Sequence, residues 1–184
     1  MKKQVLRLDP DDTEPDLDEY VFMLFHTQEP GYAFVDDINR LYNFTLARIE
    51  DMQLHESEWP LYTYRDSLRK IEFFLVEKPA AAERLMPRWG VGQKLLIARG
   101  EDARMCLEKI LNDFLEMPRL PDTGDLAAQQ RYNILTTFQQ SFTTVTLLDI
   151  DDDTALPPKA ARERSDTRQL LAAMLDYLDI NRIG

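Results

Sequence analysis

The chain has 184 residues, of which 44% are hydrophobic and 30% are charged. These proportions supply enough apolar side chains for a buried core and exclude a protein that is disordered by composition. The net charge of −11 argues against nucleic acids and anionic membranes as partners, because both are polyanions. A single cysteine rules out an intrachain disulfide, and no apolar run approaches the ~20 residues that span a bilayer. Charged residues directly after Met1, where a signal peptide would have its apolar core, predict a soluble cytoplasmic protein.

The N-terminal part of the chain alternates between β-prone and charged segments. Residues 3–8 have the alternating pattern of a short strand, whereas residues 9–19 contain seven acidic side chains and two prolines, which predicts an extended, solvated segment. The continuous apolar run over residues 20–25 predicts a central strand buried on both faces. A helical apolar spacing follows and predicts a helix over residues 34–43.

The next part of the chain is richer in strands than in helices. Strands are predicted over residues 45–52, 61–65, 70–77 and 94–98, with a loop over residues 79–92. A helix follows Gly100 and presents Ala103, Leu107, Ile110, Leu111 and Phe114 on one face. Because several strands succeed one another without intervening helices, we expect an α+β fold: an antiparallel or mixed sheet with helices packed on one face.

Residues 117–124 contain two prolines and a glycine and mark the best candidate boundary in the chain. We therefore predict an α+β core domain over residues 1–117. A C-terminal extension over residues 118–184 would consist of a helix, a strand over residues 142–150 and a helix packed on the core.

The last helix of that extension is predicted over residues 166–178, because Asp166 and Gln169 have the spacing of a capping box. It carries an apolar stripe formed by Leu171, Met174, Leu175 and Leu178. These four side chains must pack on the chain's own sheet, on a second copy or on another protein, so they are the candidates for binding a partner.

The sequence predicts no catalytic residue and no cofactor site. Cys106 lies in the interior of a predicted helix and far in sequence from both histidines, which indicates a structural cysteine. Two dispersed histidines and one cysteine are too few ligands for zinc.

One segment bears a partial likeness to a calcium-binding loop. Asp149, Asp151 and Asp153 match its first, third and fifth positions, but Thr154 and Ala160 replace the required glycine and bidentate glutamate. These three aspartates are therefore candidates for weak binding of a divalent cation and for nothing tighter.

The order of these segments resembles a known family. It begins with a basic N-terminal strand, the apolar run 20–25 and the helix 34–43, and continues with Pro60-Leu61-Tyr62-Thr63-Tyr64 and Phe73-Phe74-Leu75-Val76. Over about residues 3–115 the chain is similar to the IPExxxDY family of small bacterial proteins. It departs from the family signature, since Ile97-Ala98-Arg99 stands where Ile-Pro-Glu is expected. The resemblance implies neither an activity nor a ligand.

Three functions are compatible with these features. The acidic composition, the lack of a catalytic constellation and the amphipathic last helix favour a non-catalytic protein-interaction or scaffold module, with a protein partner or a homodimer. An enzyme that uses carboxylates and a divalent cation is the first alternative, with Asp149, Asp151 and Asp153 as its site. The second is an acidic mimic of nucleic acid, in which residues 9–19 would occupy a basic groove of another protein.

Overall fold

The computed structural model describes residues 17–80, 82, 93–116, 119–121, 124–148 and 158–180. Eight strands and four helices lie in this part of the chain, preceded by a short 3₁₀ helix, Leu17–Glu19. The strands are β1 (Tyr20–Thr27), β2 (Ala47–Arg48), β3 (Met52–Leu54), β4 (Ser57–Trp59), β5 (Leu61–Asp66), β6 (Ile71–Glu77), β7 (Gln93–Arg99) and β8 (Phe142–Leu148). The helices are α1 (Gly31–Tyr42), α2 (Ala103–Leu115), α3 (Leu126–Ser141) and α4 (Pro158–Ile180).

Six of the strands form one sheet in the order β2-β5-β6-β7-β1-β8, and every pair of neighbours is antiparallel. The predicted central strand is confirmed, because β1 lies between β7 and β8. Phe22 of β1 is opposite Ile97 of β7 on one side and Leu148 of β8 on the other. An antiparallel sheet with four helices confirms the α+β class.

The first face of the sheet is covered by α1, α2 and α3. Met23, Phe25, Phe73, Leu75 and Leu96 point to this side and share one core with the apolar faces of these helices. Aromatic rings join the layers: the centroids of Phe25 and Phe34 are 5.0 Å apart, edge to face, and those of Phe114 and Phe138 are 5.4 Å apart. The predicted helical stripes of α1 and α2 are thus the surfaces that pack on the sheet.

The second face is covered by α4, which contributes Leu170, Leu171, Met174, Leu175 and Leu178 to a separate core. Phe22, Leu24, Val76, Leu95 and Ile97 of the sheet point to this side. The prediction that the helices pack on one face therefore holds for α1 to α3. It is wrong for α4, which packs on the second face. The physical reason is that β1, β6 and β7 are apolar on both faces, so both faces need cover.

The predicted strand over residues 45–52 is the element that differs most from expectation. Only β2 pairs with the main sheet there. Just before it, Asn39 of α1 binds the main chain of Leu46: the Leu46 amide donates to Oδ1 (2.9 Å), and Nδ2 donates to the Leu46 carbonyl (3.1 Å). The chain then forms a separate hairpin of β3 and β4, whose two turn residues, His55 and Glu56, both have positive φ. Positive φ at both positions is the signature of a type I′ turn.

The residues after the predicted boundary are part of the same sheet and cores. β8 pairs with β1, α3 supplies Leu135 and Phe138 to the first core, and α4 closes the second. The predicted strand over residues 3–8, residues 9–16 of the acidic segment and most of the loop over residues 79–92 lie outside the described residues.

Candidate functional site

Buried polar side chains gather at one end of the sheet, where β1 and β6 end and β7 begins. The register places Lys94 of β7 between Phe25 of β1 and Glu77 of β6. The turn from β1 into α1 passes over the same end and brings Glu29 and Gly31 to it. We call Lys94, Glu77, Glu29 and Gly31 the Lys94 cluster.

Lys94 is 1% exposed, so its ammonium must be satisfied by the protein. Nζ donates a 2.7 Å hydrogen bond to the main-chain oxygen of Glu29 and lies 3.6 Å from Oε1 of Glu77. It also lies 5.5 Å from the centroid of the Phe34 ring, within the range of a cation–π contact. Burial lowers the pKa of Lys94, and the Glu77 carboxylate opposes that decrease.

Gly31, the first residue of α1, leaves the space that the Glu77 carboxylate occupies. A Cβ at this position would overlap Oε2 of Glu77 and lie 3.3 Å from the hydroxyl of Tyr62. A side chain here would have to displace that carboxylate, so glycine lets the helix begin against the group that pairs with Lys94.

The side chain of Glu29 is less well satisfied than its main chain. Burial and the nearby carboxylate of Asp37 raise the pKa of Glu29, and Lys94 opposes the rise. Its Oε2 atom is buried and accepts no hydrogen bond from the described part of the chain.

His26 and Gln93 lie at the same end of the sheet but on its second face, because each neighbours a residue that points to the first face. Nε2 of Gln93 and Nδ1 of His26 are 2.9 Å apart, which fits an amide donor and a neutral imidazole acceptor. Burial lowers the pKa of His26. Gln93 is 0% exposed, and its Oε1 atom has no hydrogen-bond partner within the described ranges.

The contacts of Lys94 join β7 to β6 and to the turn before α1. The Lys94 amine is closed off from solvent, and a nucleophilic or Schiff-base lysine needs access for its substrate. Among the residues described, no group of three or more His, Cys, Asp or Glu side chains could hold a metal ion. The Lys94 cluster is therefore a buried ion pair that positions the start of α1.

A second polar network, at the opposite end of the sheet, fastens α4. The guanidinium of Arg99 donates to Glu72 of β6 (2.6 Å), to the hydroxyl of Tyr20 (3.0 Å) and to Asp179 of α4 (3.3 Å). Since one side chain joins two strands to the helix, this network sets the position of α4 along the second face.

The structure places the candidate residues from the sequence in different environments. Leu171, Met174, Leu175 and Leu178 are buried on the chain's own sheet, with exposures of 0%, 0%, 0% and 6%. Of the three surfaces considered for this stripe, the structure packs it on the chain's own sheet, and a role in binding a partner stays a prediction. Asp149, Asp151 and Asp153 lie outside the described residues. Cys106 is half-buried against the first core, and burial raises the pKa of its thiol, which fits the structural role predicted for it.

The two edges of the main sheet differ in a way that bears on binding. β2 is two residues long, and its Arg48 forms an ion pair with Asp51 (2.9 Å), so this edge is short and charged. β8 is seven residues long, and residues 132–148 contain no charged side chain. Within the described part of the chain β8 pairs with β1 alone, and no described strand lies on its other side.

β8 also has the side chains of a strand that can accept a neighbour. Thr144 and Thr146 are exposed and point to the second face, whereas Val145 and Leu147 are half-buried and point to the first core. Proteins usually protect an edge with a short strand, a charge, a proline or a bulge. β8 bulges only at its beginning, where the register with β1 shifts between His26 and Thr27.

The sequence alone does not identify the Lys94 cluster or the edge position of β8 as a candidate site. A lysine at the start of an apolar strand signals a strand boundary, and its partners lie at positions that only the fold brings near. The strand over residues 142–150 was predicted, but its place at the edge depends on the order of all six strands.

Comparisons with known proteins return no match: no protein-family model fits the chain, and no curated protein and no solved structure is significantly similar. The resemblance to the IPExxxDY family stays a prediction. No helix in the described ranges combines the length and the apolar character needed to cross a membrane.

Proposed function

We propose that the protein is a non-catalytic protein-interaction module that takes up a β-strand of its partner along the open edge of β8. One observation carries this proposal: β8 is a seven-residue, uncharged edge strand of high β-propensity with no pairing neighbour on its outer side among the described residues. Every second residue of such an edge presents an unpaired amide and carbonyl, and strand addition satisfies them.

The closed state of the polar clusters supports a binding function over an enzymatic one. Lys94 is engaged by Glu29 and Glu77, and Arg99 is engaged by Glu72, Tyr20 and Asp179. These groups stabilise the fold that presents β8. We also infer a cytoplasmic location, since the one cysteine is a free thiol that a reducing compartment would preserve.

The test is a comparison of three tagged baits in a lysate of the native cell to which untagged chain has been added. The baits are the wild type, Thr144→Lys/Thr146→Lys, and the control Gln129→Lys/Gln130→Lys on the exposed side of α3. Both variants add two lysines, but only the first places them on β8. We expect the wild type and the control to retain the same proteins and the β8 variant to lose them. Equal retention by all three baits, or no specific retention by the wild type, would contradict the proposal.

A further inference from the structure

We infer that the strand taken up by β8 is β8 of a second copy, paired antiparallel about a two-fold axis near Val145. This inference rests on the proposed function and names the partner. The product would be a dimer with one continuous sheet of twelve strands, six from each copy. An antiparallel strand pair is the one arrangement in which a strand edge is complementary to itself under two-fold symmetry.

Charge distinguishes a second copy from an unrelated protein as the occupant. The chain has a net charge of −11, yet residues 132–148 are uncharged, so two copies could meet at β8 without like charges in contact. A different partner is ordinarily selected and aligned by complementary charges at the interface, and β8 has none to offer. Two identical strands need no such charges, because two-fold symmetry makes every contact across the interface reciprocal.

The side chains of β8 fit the register centred on Val145. In that register, Thr144 of each copy is opposite Thr146 of the other, and the two Val145 side chains face each other. Cross-strand pairs of β-branched residues are favourable in antiparallel sheets. The Thr pairs would lie on the second face, where both side chains are exposed, and the Val pair on the first face, where it would gain cover.

The expected dimer is weak and depends on salt. A seven-residue strand is roughly 24 Å long at about 3.4 Å per residue, so the contact lies at the small end of protein interfaces. The negative charge on the rest of each copy opposes their approach over longer distances. Raising the salt concentration from about 0.03 M to about 0.3 M screens this repulsion, and we expect association to strengthen.

Sedimentation equilibrium of the purified full chain over a range of concentrations tests the inference. We expect the wild type to rise from 21.5 kDa towards twice that mass as concentration increases. Thr144→Lys/Thr146→Lys places lysines opposite lysines across the axis and should weaken association at least about tenfold. Gln129→Lys/Gln130→Lys makes the same change in net charge and should associate like the wild type.

A charge swap separates a broken interface from a misfolded variant. Thr144→Glu/Thr146→Glu should also be monomeric by itself, whereas an equimolar mixture of the Glu and Lys variants should form a mixed dimer. Unchanged circular dichroism and melting temperature show that each variant is folded. Three results would each overturn the inference. The wild type could stay monomeric at all concentrations, its dimer could be unaffected by the β8 substitutions, or the folded Glu and Lys variants could fail to associate when mixed. If the wild type is monomeric but still retains other proteins through β8, the dimer inference fails and the proposed function stands.

Discussion

The ammonium of Lys94 donates a 2.7 Å hydrogen bond to the main-chain oxygen of Glu29, and so joins β7 to the turn that leads from β1 into α1. A charge that is 1% exposed lies at the junction of the sheet with its first helix. The only acidic side chain of the neighbouring strand β6 at this level, Glu77, lies 3.6 Å away and balances that charge. The position of α1 thus depends on a polar contact inside the core.

Replacing Lys94 with Met should lower the free energy of unfolding by about 2 kcal/mol. Removal of one member of a buried pair costs about 3–5 kcal/mol, and the partial exposure of Glu77 reduces the penalty of leaving it unpaired. Urea unfolding measures the effect, with Lys109→Met on the exposed side of α2 as the control. Adding Glu77→Gln to Lys94→Met should recover part of the loss. If Lys94→Met were as harmless as Lys109→Met, the buried pair would not stabilise the protein.

Replacing Gly31 with Ala should destabilise the protein by about 1 kcal/mol through Glu77, since the new methyl group would overlap Oε2 and push the carboxylate away from Lys94. A double-mutant cycle with Glu77→Ala identifies the cause. In the Glu77→Ala background we expect Gly31→Ala to be nearly neutral. The same loss in both backgrounds would show that Gly31 acts through something other than this carboxylate.

His26 should contribute stability that is lost as the pH decreases from about 7 to about 5. Its pKa is lowered in the folded state, so the unfolded chain binds the proton more readily, and folding is favoured above the unfolded-state pKa of about 6.5. Protonation of Nδ1 would also set two donors, His26 and Gln93, against each other. Urea unfolding at several pH values should show a smaller slope for His26→Gln than for the wild type. His55→Asn, in the exposed β3–β4 turn, serves as the control, and a wild-type slope in His26→Gln would exclude His26 as a source of the pH dependence.

Shortening a buried side chain of the α4 stripe should destabilise the whole protein and not the terminal helix alone. Leu175 is fully buried in the second core, so Leu175→Ala should cost about 2–4 kcal/mol in a single cooperative transition. Gln169→Ala, on the exposed side of the same helix, should change little. Loss of helical signal from α4 alone, with the rest of the chain melting as in the wild type, would contradict the packing of α4 into the common core.

Local sequence patterns predicted most of the elements and the inner position of β1, but not the face that α4 covers or the edge position of β8. The apolar run over residues 20–25 identified β1, and the spacing of Phe34, Ile38 and Leu41 identified α1, because burial dictates both patterns. The capping pattern predicts that the last helix starts at residue 166, whereas α4 begins at Pro158. Residues 158–165 carry no apolar stripe, and a proline in the first turn is compatible with a helix start.

Contacts between distant residues account for the other differences. No sequence pattern near Lys94 predicts that its ammonium donates a hydrogen bond to Glu29, which lies 65 positions away. The side of the sheet that α4 covers depends on which faces α1 to α3 leave open. The exposure of β8 follows from its pairing with β1, since a strand is at an edge only in relation to the other strands.

Site-specific photo-crosslinking in the native cell tests binding at β8 most directly. A photoreactive amino acid would replace Thr144, and a second version would carry it at Gln130 on the exposed side of α3. We predict that the Thr144 position yields a protein adduct, at about twice the mass of the chain if the partner is a second copy, and that the Gln130 position does not. No adduct from Thr144, or equal adducts from both positions, would contradict the proposal that this edge is the binding surface.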